Sequence, residues 1–174
     1  MRSLFAISVA ILAASTAPAA QAAPMTYGCD TAAGRLSAIE VEVPSAGFVV
    51  SGTITPNEFR KDPRWGPTVY VRVDSADDQN GAQVRYSGDP KSKDGIITLS
   101  GMAAGAERKG DPQLAMIGKP FDFTIQVVSA SEVLVMAGGQ KAKLPAAVGA
   151  NAKLTIGCST GDFVFSNLEW KNTP

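Results

Sequence analysis

Apolar and polar residues alternate one for one along much of the second half of this chain, and that periodicity narrows the folds open to it. Phe121, Phe123, Ile125 and Val127 interleave with Asp122, Thr124 and Gln126, the signature of a strand with one face buried and one in water. Val133, Val135 and Ala137 repeat the pattern, followed by Leu154, Ile156 and Cys158 and then by Phe163 and Phe165. Cys158 thus stands inside a ladder of strands running from Lys119 to Trp170. The only other cysteine is Cys29.

Residues 1–23 read as an export signal peptide. Arg2 supplies a positive start, Leu4 to Ala14 an apolar run, and Ala20-Gln21-Ala22 a small-x-small signal, so cleavage is expected after Ala22 or Ala23. The apolar run is too short for a permanent membrane anchor, and no cysteine immediately follows the cleavage signal to accept a lipid. The expected location is periplasmic or extracellular, where two cysteines form a disulfide. A Cys29–Cys158 bridge closes a loop of about 130 residues, for which chain entropy sets an upper bound of about 5 kcal/mol. It also requires Cα atoms within about 7 Å, so the first strand lies beside, or across from, the penultimate one.

Residues 24–174 are expected to form one domain. The full chain has 16 basic and 16 acidic residues, and removal of Arg2 leaves one acid in excess. That balance argues against a nucleic-acid partner. Histidine is absent, which removes the commonest metal ligand and general base.

In chain order, a turn at Ala32-Ala33-Gly34 precedes a strand with Ile39, Val41 and Val43 opposite Glu40 and Glu42. Phe48, Val50, Gly52 and Ile54 share a face of the next, Gly52 marking a bulge or a close backbone approach. Residues 55–67 contain Pro56, Pro63 and Pro67 and read as a long structured loop. Val69, Val71 and Val73 follow, with Tyr70, Arg72 and Asp74 on the opposite face. Asp77 to Gly81 forms a turn with an Asn-Gly hairpin signal, and Val84 and Tyr86 begin the return strand. Ile96 to Leu99 is a short strand, and Ala103 to Ala115 is a loop or a single helical turn. Gly138-Gly139 is a hairpin turn, Gly161-Asp162 a tight turn, and Ser166-Asn167 a bulge. About ten or eleven short strands predict an all-β, antiparallel two-sheet β-sandwich or a barrel.

The run Pro120 to Val127, with Leu154-Thr155-Ile156 and Phe163 to Leu168, resembles galectin-type and concanavalin A-like jelly-roll domains. The resemblance implies two curved sheets with first and last strands as neighbours. It brings no functional motif: the galactoside-binding histidine is missing, and the Glu-x-Asp-x-x-Glu of the related glucanases appears nowhere. Thr26-Tyr27-Gly28-Cys29-Asp30 is similar to the opening of small periplasmic lysozyme inhibitors of the membrane-bound/C-type class, whose Ser-Gly-x-x-Tyr loop has no match here.

Three groups of residues carry candidate chemistry. Glu40 and Glu42 share a strand face with Cα atoms about 6.5–7 Å apart, a separation a glycosidase can use; alternation on a solvated face gives the same pattern. Asp74, Asp77, Asp78 and Asn80 offer oxygen ligands for calcium, although Asp and Asn also favour turns for backbone reasons. The third group joins Phe59, Trp65, Tyr70 and Tyr86 to Arg60, Arg64, Arg72 and Arg85. Aromatic faces stack, and guanidinium groups make paired hydrogen bonds to hydroxyls or carboxylates. Its rival reading has Trp65 and Phe59 tucking the loop onto the sandwich while the arginines pair with nearby acids.

The expectation is a secreted, jelly-roll-like sandwich acting as a non-catalytic binding module, with glycans as the ligand and Trp65, Tyr70, Arg72 and Arg85 as binding residues. The alternatives are a carbohydrate-active hydrolase using Glu40, Glu42 or Glu58, and an inhibitor or structural partner of another exported protein. No catalytic residue, metal, cofactor or membrane span is expected.

Overall fold

The computed structural model describes residues 24–43, 47–149 and 151–172, and every regular element among them is a β-strand. The export signal lies outside the described residues. Eleven strands follow in order: β1 Met25–Val43, β2 Phe48–Phe59, β3 Thr68–Asp74, β4 Gly81–Gly88, β5 Asp94–Ala103, β6 Ala106–Lys109, β7 Gln113–Met116, β8 Phe121–Ser129, β9 Glu132–Ala137, β10 Gln140–Pro145 and β11 Ala152–Asn172. They form one hydrogen-bonded antiparallel sheet in the order β10-β9-β8-β2-β11-β3-β4-β5-β6, with β1 on β11 and β7 on β5. The sheet curls back so that β8, β9 and β10 meet β4 and β5 across a shared core. The result is the expected jelly-roll-like sandwich.

The curl is made by β11. Its first half pairs with β3, from Lys153 opposite Asp74 to Ser159 opposite Thr68. Its second half pairs with β2, from Gly161 opposite Phe59 to Asn172 opposite Phe48. β1 accompanies both halves. At the junction Thr160 is fully buried and adopts φ 59°, a left-handed conformation that β-branched residues rarely take. Its hydroxyl accepts the Gly34 amide at 3.3 Å and its carbonyl accepts the Arg60 amide at 3.0 Å. Beside it β1 shifts register between Thr31 and Leu36. Cys29 stands opposite Phe163 and Cys158 opposite Ser37, so the Cys29–Cys158 disulfide, with Cα atoms 6.0 Å apart, spans this junction.

Several local expectations change. The turn at Ala32-Ala33-Gly34 is a bulge inside a continuous β1, with Gly34 at φ 71°. Gly161-Asp162 is not a turn, because both halves of β11 pair with the same strand in the same direction. Glycine is required there for proximity: a Cβ on Gly161 would lie 2.5 Å from the Glu58 carbonyl oxygen. The loop placed at 55–67 is shorter, since β2 runs through Pro56 to Phe59. Proline is tolerated because the register slips there: Phe163 faces Pro56 while Asp162 faces Glu58, so Asn57 bulges. Ala103 to Ala115 contains β6 and β7, edge strands too short to alternate legibly; all four residues of β6 are exposed.

Other readings hold. Gly138 and Gly139 take φ 57° and 88° in a two-residue hairpin joining Ala137 to Gln140. Asn167 at φ 51° marks the bulge after Ser166. A Cβ on Gly52 would lie 3.1 Å from both the Phe123 ring and the Ser166 carbonyl, the expected close approach. The β3–β4 hairpin forms, but with Ser75–Asn80 as its loop and Asp78 rather than Gly81 at positive φ.

Alternation fills the core from both layers: Val69, Val71 and Val73 on β3 point inward with Val84 and Tyr86 on β4, facing Phe123, Ile125, Val133 and Val135. Tyr86 is fully buried between Phe59 and Phe121, with ring centroids 5.9 and 5.6 Å away.

Two stability predictions follow from these contacts. Replacing both Cys29 and Cys158 with Ser is expected to cost about 2–4 kcal/mol in urea unfolding, and dithiothreitol should lower the Tm of the wild type but not of the double variant. Burial pushes the Tyr86 hydroxyl up to about 12. The unfolded chain therefore releases this proton first as the pH rises, and stability falls from about pH 10 toward 12. Tyr86→Phe should flatten that part of the Tm–pH profile; an unchanged slope would refute the assignment.

Candidate functional site

The outward face of the β11–β3–β4–β5 layer carries the polar half of the alternation. Partners across a sheet point the same way, so Gly157, Tyr70, Arg85 and Thr98 form one row across four strands. Thr155, Arg72, Gln83 and Ser100 form the next. Above the first row opens a groove of about 510 Å³.

Tyr70, Arg72, Gln83 and Arg85 form its floor with Ser159, while Trp65 and the Gly34–Leu36 bulge of β1 make its walls. The Trp65 wall belongs to the short loop 60–67, which is held by one carboxylate: Asp62 Oδ1 accepts the amides of Arg64 at 2.9 Å and Trp65 at 3.0 Å. Trp65 remains 57% exposed, so its indole does not anchor the loop to the core. That role belongs to Phe59, which packs on Tyr86 and Phe163.

Tyr70 lies flat over Gly157, whose missing side chain makes the room; a Cβ there would come within 2.8 Å of the ring and the hydroxyl. Burial raises the phenol's pKa, and Arg72 partly offsets this. Arg72 Nε lies 2.5 Å from Asp74 Oδ2, a close ion pair. Asp74 is 1% exposed; burial raises its pKa and Arg72 opposes the shift. On the same face the buried Thr155 hydroxyl has no hydrogen-bond partner among the described residues. A second hollow of about 230 Å³ shares Arg72 and Gln83 with the groove and continues toward Ser100, Met102 and Glu107.

Trp65, Tyr70, Arg72 and Arg85 therefore meet in one groove, and Arg64 joins them. The wider constellation divides: Phe59 and Tyr86 are core residues, and Arg60 is an internal clamp, bonded to Asp30 at 2.6 Å, Glu58 at 2.9 Å and the Thr31 carbonyl at 2.6 Å. Arg35, Leu36, Gln83 and Ser159 were not singled out from sequence. Gln83 was accessible from alternation, since it shares a face with Arg85; Arg35 and Leu36 depend on the bulge. Of the carboxylates of the hydrolase alternative, Glu40 and Glu42 share a face of β1, where Glu40 lies 3.8 Å from Lys153, whereas Glu58 on β2 is paired with Arg60; none of the three lines the groove. In the acidic turn Asp77 accepts the Ser75 hydroxyl and the Gln79 amide, which lowers its pKa, while Asp74 turns to Arg72. Asp77 thus does the backbone work of the turn. Among the described residues no group of three or more His, Cys, Asp or Glu side chains is placed to hold a metal ion.

The sequence matches no protein-family model and no curated protein. Solved structures do share the fold. A family 18 polysaccharide lyase, aly-SJ02, aligns with a TM-score of 0.61 at 11% identity, covering 84% of this chain and 87% of the lyase. The carbohydrate-binding module CBM66 of Bacillus subtilis aligns with a TM-score of 0.51 at 11% identity, covering 87% of this chain and 97% of the module. Scytalido-glutamic peptidase also scores 0.51, at 10% identity and 76% and 82% coverage. The jelly-roll resemblance of the strand pattern thus holds at the level of architecture. One fold carries a lyase, a binding module and a peptidase, so function has to be argued from the groove.

Gly157→Ala tests how the floor is built. The added methyl meets Tyr70 and, at 2.9 Å, the Ser37 carbonyl, so a loss of about 1–3 kcal/mol is expected. A change in Tyr70 fluorescence or ring chemical shifts should accompany it; unaltered Tyr70 signals would contradict the packing described.

Proposed function

We propose that this chain is an exported, non-catalytic glycan-binding module and that the groove beside Trp65 is its binding site. The observation carrying this reading is the convergence of an exposed indole, a flat phenol and guanidinium groups in one open trough. Sugar rings present apolar C–H faces and peripheral hydroxyls. An aromatic wall suits the first, and Arg, Gln and Ser side chains around it suit the second. Trp65 is held by backbone capping rather than by packing, so its indole is available for contact. Similarity of fold to a carbohydrate-binding module and a polysaccharide lyase supports the glycan class. The absence of histidine and of Glu40, Glu42 and Glu58 from the lining of the groove supports binding without turnover.

Export rests on the Arg2, Leu4–Ala14 and Ala20-Gln21-Ala22 pattern together with the disulfide, which is at home in an oxidising compartment. Expression of the full chain in a Gram-negative host is expected to yield periplasmic protein starting at Ala23 or Pro24. The binding reading is tested by affinity electrophoresis through gels loaded with polysaccharides. Retardation by at least one polymer is expected, without release of reducing ends or unsaturated products. Trp65→Ala should weaken that retardation about tenfold, a loss of the size expected for an aromatic contact, with Tm unchanged. Product release would move the chain to the hydrolase or lyase class. Capture of a single envelope protein without any glycan binding would favour the inhibitor or structural-partner alternative.

A further inference from the structure

The charge of the groove specifies its ligand further than the shape does. Four guanidinium groups line it, from Arg35, Arg64, Arg72 and Arg85, and no acidic residue does. Only Arg72 has a carboxylate within 4 Å; among the described residues Arg35, Arg64 and Arg85 form no ion pair. Asp62, the one acid of the 60–67 loop, is turned to the amides behind Trp65. The three arginines are all exposed, so they carry no burial penalty, yet they concentrate positive charge in a protein whose formal net charge is zero.

We infer that the groove takes an anionic polysaccharide, a sugar chain bearing carboxylate or sulfate groups on successive rings, with those groups paired to Arg35, Arg64 and Arg85. This rests on the glycan-binding reading above and narrows it. Guanidinium is the side chain suited to such groups, because its planar fork matches a carboxylate or sulfate with two parallel hydrogen bonds. Spacing requires a polymer. Arg35 lies in the bulge of β1 and Arg85 sits on β4, three strand intervals away, a span of about 14 Å that is longer than one sugar ring. The chain therefore crosses the strands, with Trp65 stacking on a ring between the anion sites. The hollow beyond Arg72 changes character, being lined by Asp74 and Glu107, so the anionic stretch ends at Arg72. The cationic patch is local and the chain as a whole is not basic, which separates this surface from that of a nucleic-acid binder.

The test uses the intact mature protein against four probes: a polyuronate, a dextran sulfate, a neutral dextran and a single-stranded oligonucleotide. Binding to at least one anionic polysaccharide is expected. It should fall by about tenfold or more between 50 and 500 mM NaCl, as screening removes exposed ion pairs. Arg64→Gln and Arg85→Gln should each weaken it about fivefold with Tm unchanged, while Lys141→Gln on the distant β10 should not. The preference between carboxylated and sulfated chains identifies the anion. Equal, salt-insensitive binding to neutral dextran would overturn the anionic specificity and leave the glycan reading standing. Binding to no polysaccharide would overturn both, and tighter binding to the oligonucleotide would show that the partner class is wrong.

Discussion

The hydrogen bonding of β11 along both of its edges is the constraint on which the rest of this structure depends. Among the described strands only β1, which accompanies it along both halves, also runs through both layers. Its first half is zipped between β1 and β3, its second between β1 and β2, and everything outward of those pairs is attached through them. A change of layer within one strand requires a sharp local bend, and the chain makes it at Thr160 in a conformation that costs of order 1–3 kcal/mol. That conformation persists because its surroundings fix it. The Gly34 amide holds the hydroxyl, the Arg60 amide holds the carbonyl, and the Cys29–Cys158 bridge holds the two halves on the core side.

The same bend positions the groove. The residues that stabilise Thr160 belong to the segments that wall the site: Gly34 opens the bulge carrying Arg35 and Leu36, and Arg60 begins the loop that ends in Trp65 and Pro67. Ser159, adjacent to the bend, lies in the groove itself. The walls are thus anchored to the bend at Thr160, while the floor is an ordinary strand face. This combination suits recognition by preorganised side chains, since little ordering remains to be done when a ligand arrives.

Much of this could be read from sequence because alternation is a local signal. The valines of β3 and the phenylalanines of β8 declare their inward faces, and by subtraction Tyr70, Arg72 and Arg85 declare theirs. The Gly138-Gly139 hairpin and the bulge at Asn167 were legible for the same reason. What escaped depends on partners distant in sequence. Gly161 looks like a turn residue until the Glu58 carbonyl is seen above it, and Pro56 looks like a strand breaker until the slipped register opposite it is known. β6 and β7 were illegible because edge strands this short bury too little to pattern. Trp65 and Phe59 were equivalent as sequence, two aromatics in one proline-rich stretch. Only their placement separates them, one over the core and one over the groove.

The position of β11 in the chain has a consequence for timing. Among the described strands β11 is the last in chain order, and β1, which pairs with both of its halves, is the first. β2, β3 and β1 can adopt their final pairing only after residues 152–172 have emerged, so hairpins such as β3–β4 and β8–β9 must wait as separate units. Such a topology has high contact order, which slows folding.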